Sequence, residues 1–181
     1  PASILFEENM LNFYDVSKDY INYLQAAETE VRGFTCVPNM EYGDRQQKFL
    51  CGIVLEINAH KYYVPVSSKK DNMPDTVLVK IPEDKYNPVK GTLRFNYMIP
   101  VPDSAISLRI IRDEPDILRR RFLNGQLRYC QSIEQNVLNQ AKRTYTKRID
   151  NLGSDSFKAH CCDFRLLEAK CKEYCNDATN P

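Results

Sequence analysis

Apolar positions along the chain alternate between helical and strand-like spacing, and each change marks an element. Val16, Tyr20, Tyr23, Leu24 and Ala27 recur at helical intervals behind Ser17, a good cap, so the pattern predicts a helix over about 17–30. The polar stretch VRGFTCVPNMEYGDRQQK that follows carries Gly, Pro and Asn punctuation and reads as a loop. FLCGIVLEI (49–57) is an unbroken apolar run rich in branched residues, as expected of a central strand apolar on both faces. Asn58-Ala59-His60 makes a short turn, and KYYVPVSS (61–68) returns as a second strand. Pro65 cannot donate to a ladder, which puts the far end of that strand at an edge or bulge. The hairpin delivers Ser67, Ser68, Lys69 and Lys70 at a strand end, where the sheet holds residues still and the loop side stays open.

Short strands are expected at about 77–81, 91–99 and 106–111, with MIPVPDS (98–104) ending the longest of them. From about 115 to 150 the spacing becomes helical, with Phe122, Tyr129, Ile133, Val137, Ala141 and Tyr145 on one face and Gly125 as the expected break or kink. A last helix over about 163–176 places Phe164, Leu167, Cys171, Tyr174 and Cys175 on one face. The order helix, strands, helices predicts an α+β fold with a mostly antiparallel sheet. A length of 181 residues suits a single domain with one core.

Composition narrows the class. Mean hydropathy is −0.51, and no apolar run approaches the roughly 20 residues that cross a bilayer. The opening PASILFEENML has two glutamates and no basic region, unlike a secretory signal. Seven cysteines without regular spacing fit reduced thiols in a cytosol. Net charge is +1, yet residues 1–44 sum to −6 and residues 109–150 to +5. A nucleic-acid partner would therefore be held by a local groove and not by overall attraction. Without a motif, the basic segment reads equally as a solvated helix face.

Walker, GxGxxG, HExxH and CxxC patterns are absent from the sequence. His160, Cys161, Cys162, Cys171 and Cys175 suggest zinc, but Cys171 and Cys175 belong to an apolar stripe where thiols act as small hydrophobes. No metal site is expected. His60 and His160 lack a neighbouring nucleophile elbow and read as surface or structural imidazoles. SSKKDN (67–72) is chemically denser. Its hydroxyls can bond phosphate oxygens and its ammonium groups can neutralise charge on a phosphorane without a metal, although the same run is also an ordinary turn.

Four stretches in order resemble the type III toxin–antitoxin endoribonucleases, the ToxN, AbiQ and CptN group: FYDVSKDYINYL (13–24), GIVLEINAHKYYVPVSSKK (52–70), NYMIPVPDS (96–104) and CDFRLLEAKCKEY (162–174). Met10 stands at the family's usual start, which makes residues 1–9 an N-terminal extension of a single toxin domain spanning 1–181. The resemblance implies a strongly twisted, mostly antiparallel sheet flanked by helices, similar to the Kid and MazF plasmid toxins. It implies metal-independent RNA cleavage by 2′-hydroxyl attack, leaving a 2′,3′-cyclic phosphate, with no cofactor. The implied partner is a repeat RNA antitoxin folded as a pseudoknot, which the toxin processes and which inhibits it in a closed toxin–RNA ring. Cellular and phage RNA would be the substrates in a cytoplasmic abortive-infection system, with no DNA and no membrane.

Carried over by position, the resemblance implies catalytic roles for Tyr20, Lys48, Ser67, Ser68 and Lys70. Lys70 would stabilise the phosphorane, Ser67 and Ser68 would position the phosphate, Tyr20 would contact it or shuttle a proton, and Lys48 would assist. Tyr20 also shares a stripe with Val16 and Leu24, as a core residue does. Tyr42 and Lys69 are expected to contact RNA, and Arg120, Arg121, Arg128, Lys142, Arg143 and Lys147 form a candidate antitoxin surface. No general base emerges. Two alternatives keep the same fold: a non-catalytic RNA-binding module, and a MazF-like nuclease inhibited by a protein.

Overall fold

The computed structural model describes residues 11–42 and 46–179, with the side chains of 42, 46, 47 and 179 set aside. The extension expected over residues 1–9 lies outside the described residues. Among the described residues, nine strands and five α-helices follow one another: β1 (Asn12–Val16), α1 (Lys18–Arg32), β2 (Glu41–Tyr42), β3 (Gln46–Gln47), β4 (Leu50–Ile57), β5 (His60–Ser67), β6 (Thr76–Lys80), β7 (Val89–Arg94), β8 (Ile99–Pro100), β9 (Ile106–Leu108), α2 (Ile117–Ser132), α3 (Glu134–Ile149), α4 (Asp155–Ala159) and α5 (Phe164–Thr179). The class is α+β, as the alternation of periods predicts.

Seven of these strands form one antiparallel sheet in the order β6-β7-β5-β4-β1-β9, with β8 also paired to β5. The apolar run 49–57 becomes β4 in the interior of the sheet, and Leu50, Cys51 and Val54 are buried. Burying a leucine of that kind contributes roughly 1.5–3 kcal/mol. Asn58 and Ala59 both take positive φ, 52° and 63°, giving the two-residue turn that matches the twist of a hairpin. α1 begins where expected, with the Ser17 hydroxyl accepting from the Tyr20 amide, and stops at Gly33 in the left-handed region (φ 79°).

Several expectations are corrected. Val16 belongs to a strand, not to the first helix: β1 inserts between β4 and β9, burying Leu11 and Phe13. Pro65 is not at an edge. It pairs with Leu50 of β4 and falls where β5 changes its other neighbour, from β8 at Tyr62 and Tyr63 to β7 at Val66 and Ser67. Its missing donor thus lies in a gap between ladders, while the register shift of the β4–β5 pair is in β4 between Gly52 and Leu55. The helical stretch 115–150 is two helices, and the break is at Ile133 (φ −111°, ψ 22°), not at Gly125. Gly125 sits inside α2 because a Cβ there would come within 2.9 Å of the Ile81 side chain. Val137, Ala141 and Tyr145 of α3 are buried as expected, whereas the buried face of α2 is Leu123, Gln126 and Cys130, leaving Phe122 exposed.

The helices clasp the sheet, α1 packing on α5 and α3 lying against β4 and β6. Tyr62, Tyr145 and Phe164 meet ring to ring, and both tyrosine hydroxyls donate to Glu168 at 2.8 Å. Among the described residues, no helix is long and apolar enough to cross a membrane.

Candidate active site

β5 ends at Ser67, and the chain beyond it is held by short-range bonds. The Lys69 amide donates to the Ser67 hydroxyl at 3.2 Å, and the hydroxyl of buried Thr92 donates to the Lys69 carbonyl at 3.1 Å. Neighbouring β7 comes so close that a Cβ on Gly91 would lie 2.3 Å from the Ser67 carbonyl oxygen, so only glycine fits. The polar turn is therefore positioned by the sheet rather than left as a loose loop.

Ser67 and Lys69 line a cleft of about 520 Å³ together with Lys48, Arg94, Tyr97, Phe34, Cys36 and His160. Lys48 precedes β4, and its amide donates to Met40 at 3.1 Å. Its half-buried side chain faces both this cleft and a smaller hollow beside α1. A second hollow of about 430 Å³ shares Arg94, Tyr97 and His160 with the cleft and adds Lys147 and Phe157. Lys147 also belongs to a shallow surface depression with Lys142 and Arg143. Shared residues link the three into a track: Arg94, Tyr97 and His160 join the cleft to the second hollow, and Lys147 joins that hollow to the depression.

Charge along the track is uneven. Asp71 is paired with Arg94 at 2.6 Å and Asp75 with Lys147 at 2.9 Å, so both carboxylates on it are matched by cations. Lys147 also lies 3.9 Å from the centre of the Phe157 ring. Burial pushes the Cys36 thiol and the Tyr97 hydroxyl above their ordinary ranges, keeping both protonated near neutral pH.

One buried carboxylate organises the far wall. Glu28, fully buried on α1, accepts from the amide of Cys36, from the Thr35 hydroxyl (3.2 Å) and from the Asp163 amide (3.0 Å). It lies 3.5 Å from Arg32, whose guanidinium donates to the carbonyls of Cys161 and Lys158, each at 2.8 Å. Segments 34–36 and 158–163, distant in sequence, are thus fixed to one helix and face the strand end.

The expected residues divide into groups. Lys48, Ser67 and Lys69 share the cleft. Ser68 and Lys70 stand exposed beside it, in the same turn. The Tyr42 side chain lies outside the described residues. Tyr20 is elsewhere: it is fully buried, its hydroxyl donates to the Pro100 carbonyl at 2.6 Å, and its ring packs on Tyr174. A hydroxyl so enclosed has no path to a phosphate, so Tyr20 serves the core. Lys142, Arg143 and Lys147 gather on one depression. Arg120 is turned back onto the Glu114 carbonyl, and Arg121 and Arg128 are exposed on α2. The sequence reading missed Arg94, Tyr97 and Phe34, and set His160 aside as structural. Cys161 and Cys162 are buried thiols, and among the described residues no group of His, Cys, Asp and Glu is arranged to hold a metal ion.

Comparison with known proteins places this geometry. A family model described as "Toxin ToxN, type III toxin-antitoxin system" matches residues 12–172. Endoribonuclease ToxN of Bacillus thuringiensis subsp. kurstaki is 30% identical over 171 residues, covering 90% of this chain and 83% of its own length. A solved structure of AbiQ, a lactococcal anti-phage endoribonuclease of the type III class, superposes with a TM-score of 0.78 at 26% identity, covering 92% of this chain and 99% of its own. A second solved structure, from work on selective toxin inhibition by a non-coding RNA pseudoknot, gives a TM-score of 0.78 at 27% identity, with 91% and 98% coverage.

Proposed function

The chain belongs to the ToxN family of type III toxin–antitoxin toxins, and we propose that its cleft is the active site of an endoribonuclease held in check by a structured RNA. The observation that carries this reading is the meeting of Lys48, Ser67 and Lys69 in one cleft at a braced strand end. RNA carries its own nucleophile. The 2′-hydroxyl attacks the adjacent phosphorus, charge builds on the phosphorane oxygens, and the 5′-oxygen leaves, giving a 2′,3′-cyclic phosphate. What the protein must supply is position and positive charge. Donors fixed in advance stabilise such charge without reorganising during the reaction. Ser67 holds the phosphate, Lys48 and Lys69 neutralise it, and Ser68 and Lys70 act on it from the rim. No step needs a metal.

The same surface accounts for the inhibitor. The track running from the cleft past Lys147 to Lys142 and Arg143 carries cations suited to a phosphate backbone. A repeat RNA pseudoknot lying along it would block the cleft, and a ring of alternating toxins and RNAs would bury it. The substrates are cellular and phage RNA, and the site of action is the cytoplasm.

Cleavage of a defined RNA by purified protein in EDTA, with Lys70→Ala alongside and the product ends mapped, tests the reading. Cyclic-phosphate ends produced by the wild type and lost in the variant are expected. Folded protein that binds RNA and leaves it intact would identify a non-catalytic binding module instead.

A further inference from the structure

His160 stands where the cleft and the second hollow meet, and it lines both. Its place is built from two sides. The His160 amide donates to the Ser156 and Phe157 carbonyls at the end of α4, and its own carbonyl accepts from the Asn96 side chain at 2.7 Å. The Cys162 amide returns a bond to the Asn96 carbonyl at 2.9 Å. These contacts tie the residue to the turn that follows β7 and bears Tyr97.

The ring is oriented as well. Nδ1 lies 2.8 Å from the Ser156 carbonyl oxygen. A carbonyl only accepts, so Nδ1 carries the proton and the neutral ring keeps its lone pair on Nε2. One nitrogen is bonded to the protein, and Nε2 is the ring's remaining acceptor, on a residue that lines the cleft.

We infer that His160 is the general base of the cleavage reaction, an assignment that rests on the nuclease reading of this cleft. As the bond from the 2′-oxygen to phosphorus forms, Nε2 takes the 2′-hydroxyl proton. The bond from phosphorus to the 5′-oxygen breaks, and that oxygen takes a proton from water. The imidazolium then returns its proton to solvent.

Other charged groups lining the two hollows are poorly suited to the task. Lys48, Lys69 and Lys147 as ammonium ions, like the guanidinium of Arg94, have no acceptor. Asp71 is engaged by Arg94, and Asp75 by both Lys147 and the Thr144 hydroxyl at 3.0 Å.

The test compares wild type with His160→Ala and His160→Gln on one RNA whose cleavage site has been mapped with the wild type. Affinity is measured on the same RNA carrying a single 2′-deoxy sugar at that site, and folding by thermal unfolding. Both variants should fold, bind within about twofold of wild type, and cleave about 10²- to 10³-fold more slowly. Added imidazole should restore part of the His160→Ala rate. A variant cleaving at the wild-type rate overturns the assignment and leaves the nuclease reading standing. Slow cleavage that added imidazole does not rescue means the ring only supports the wall, which also overturns it. A wild type that cuts no RNA removes the nuclease reading and the assignment together.

Discussion

Replacing Glu28 by alanine perturbs the far wall of the cleft from a residue outside it. The carboxylate is fully buried and serves the Cys36 and Asp163 amides, the Thr35 hydroxyl and the Arg32 guanidinium. Alanine leaves two amides without acceptors and a guanidinium, 12% exposed, without its counter-charge. Removing one member of a buried pair costs about 3–5 kcal/mol, chiefly because the remaining charge stays desolvated and uncompensated. Some relaxation is available, since Arg32 keeps its bonds to the Cys161 and Lys158 carbonyls, so a loss of about 3 kcal/mol is expected. For a domain of this size that corresponds to a fall in Tm of roughly 6–12 °C. Urea unfolding measures it directly, as a lower midpoint at an unchanged slope. Glu28→Gln, which retains an acceptor oxygen, should lose about half as much. If Glu28→Ala unfolds within 1 kcal/mol of wild type, the claim that this carboxylate holds the two segments together is wrong.

Other expectations follow from single contacts. Lys70→Ala should slow RNA cleavage by roughly 10²-fold with its unfolding midpoint unchanged, and EDTA should leave the wild-type rate where it is; a wild-type rate in the variant would displace the site. Gly91→Ala must move the Ser67 carbonyl by more than half an ångström, so it should cost about 1–3 kcal/mol in urea unfolding and slow cleavage as well. Unchanged kinetics would mean that the strand end does not position the phosphate. Tyr20→Phe leaves the Pro100 carbonyl without its donor and should cost about 1 kcal/mol. A rate per folded molecule that falls more than tenfold would return Tyr20 to the chemistry.

How much was legible follows from how local each signal is. The hairpin of β4 and β5 could be read because the apolar run, the two-residue turn and the polar strand end lie within twenty residues of one another. Val16 fits the helical stripe as well as it fits a strand, and only the pairing with β4 and β9 decides between them. The break at Ile133 carries no Gly or Pro, whereas Gly125 offered a breaker where the true constraint was the Ile81 side chain. Within the candidate site, Ser67 and Lys69 group together because they are sequence neighbours, and Lys48 comes with the family resemblance. The far wall was not legible, because 34–36 and 158–163 approach each other only through Glu28 and Arg32, which read in sequence as ordinary charges on an exposed helix face. His160 was dismissed for want of a nearby nucleophile, but in an RNA-cleaving site the nucleophile arrives with the substrate.

The division of the cleft between distant segments also sets a timetable for synthesis. A ribosome releases the serines and lysines of the near wall early, whereas the 158–163 segment emerges only in the final part of the chain. Domains are made from the N-terminus onward at about 5–20 residues per second. A half-made chain therefore carries the near wall of the cleft without its far wall, and the two meet only once the 158–163 segment has joined Glu28 and Arg32 of the first helix. For a toxin, late closure keeps the cleft incomplete until synthesis has nearly finished.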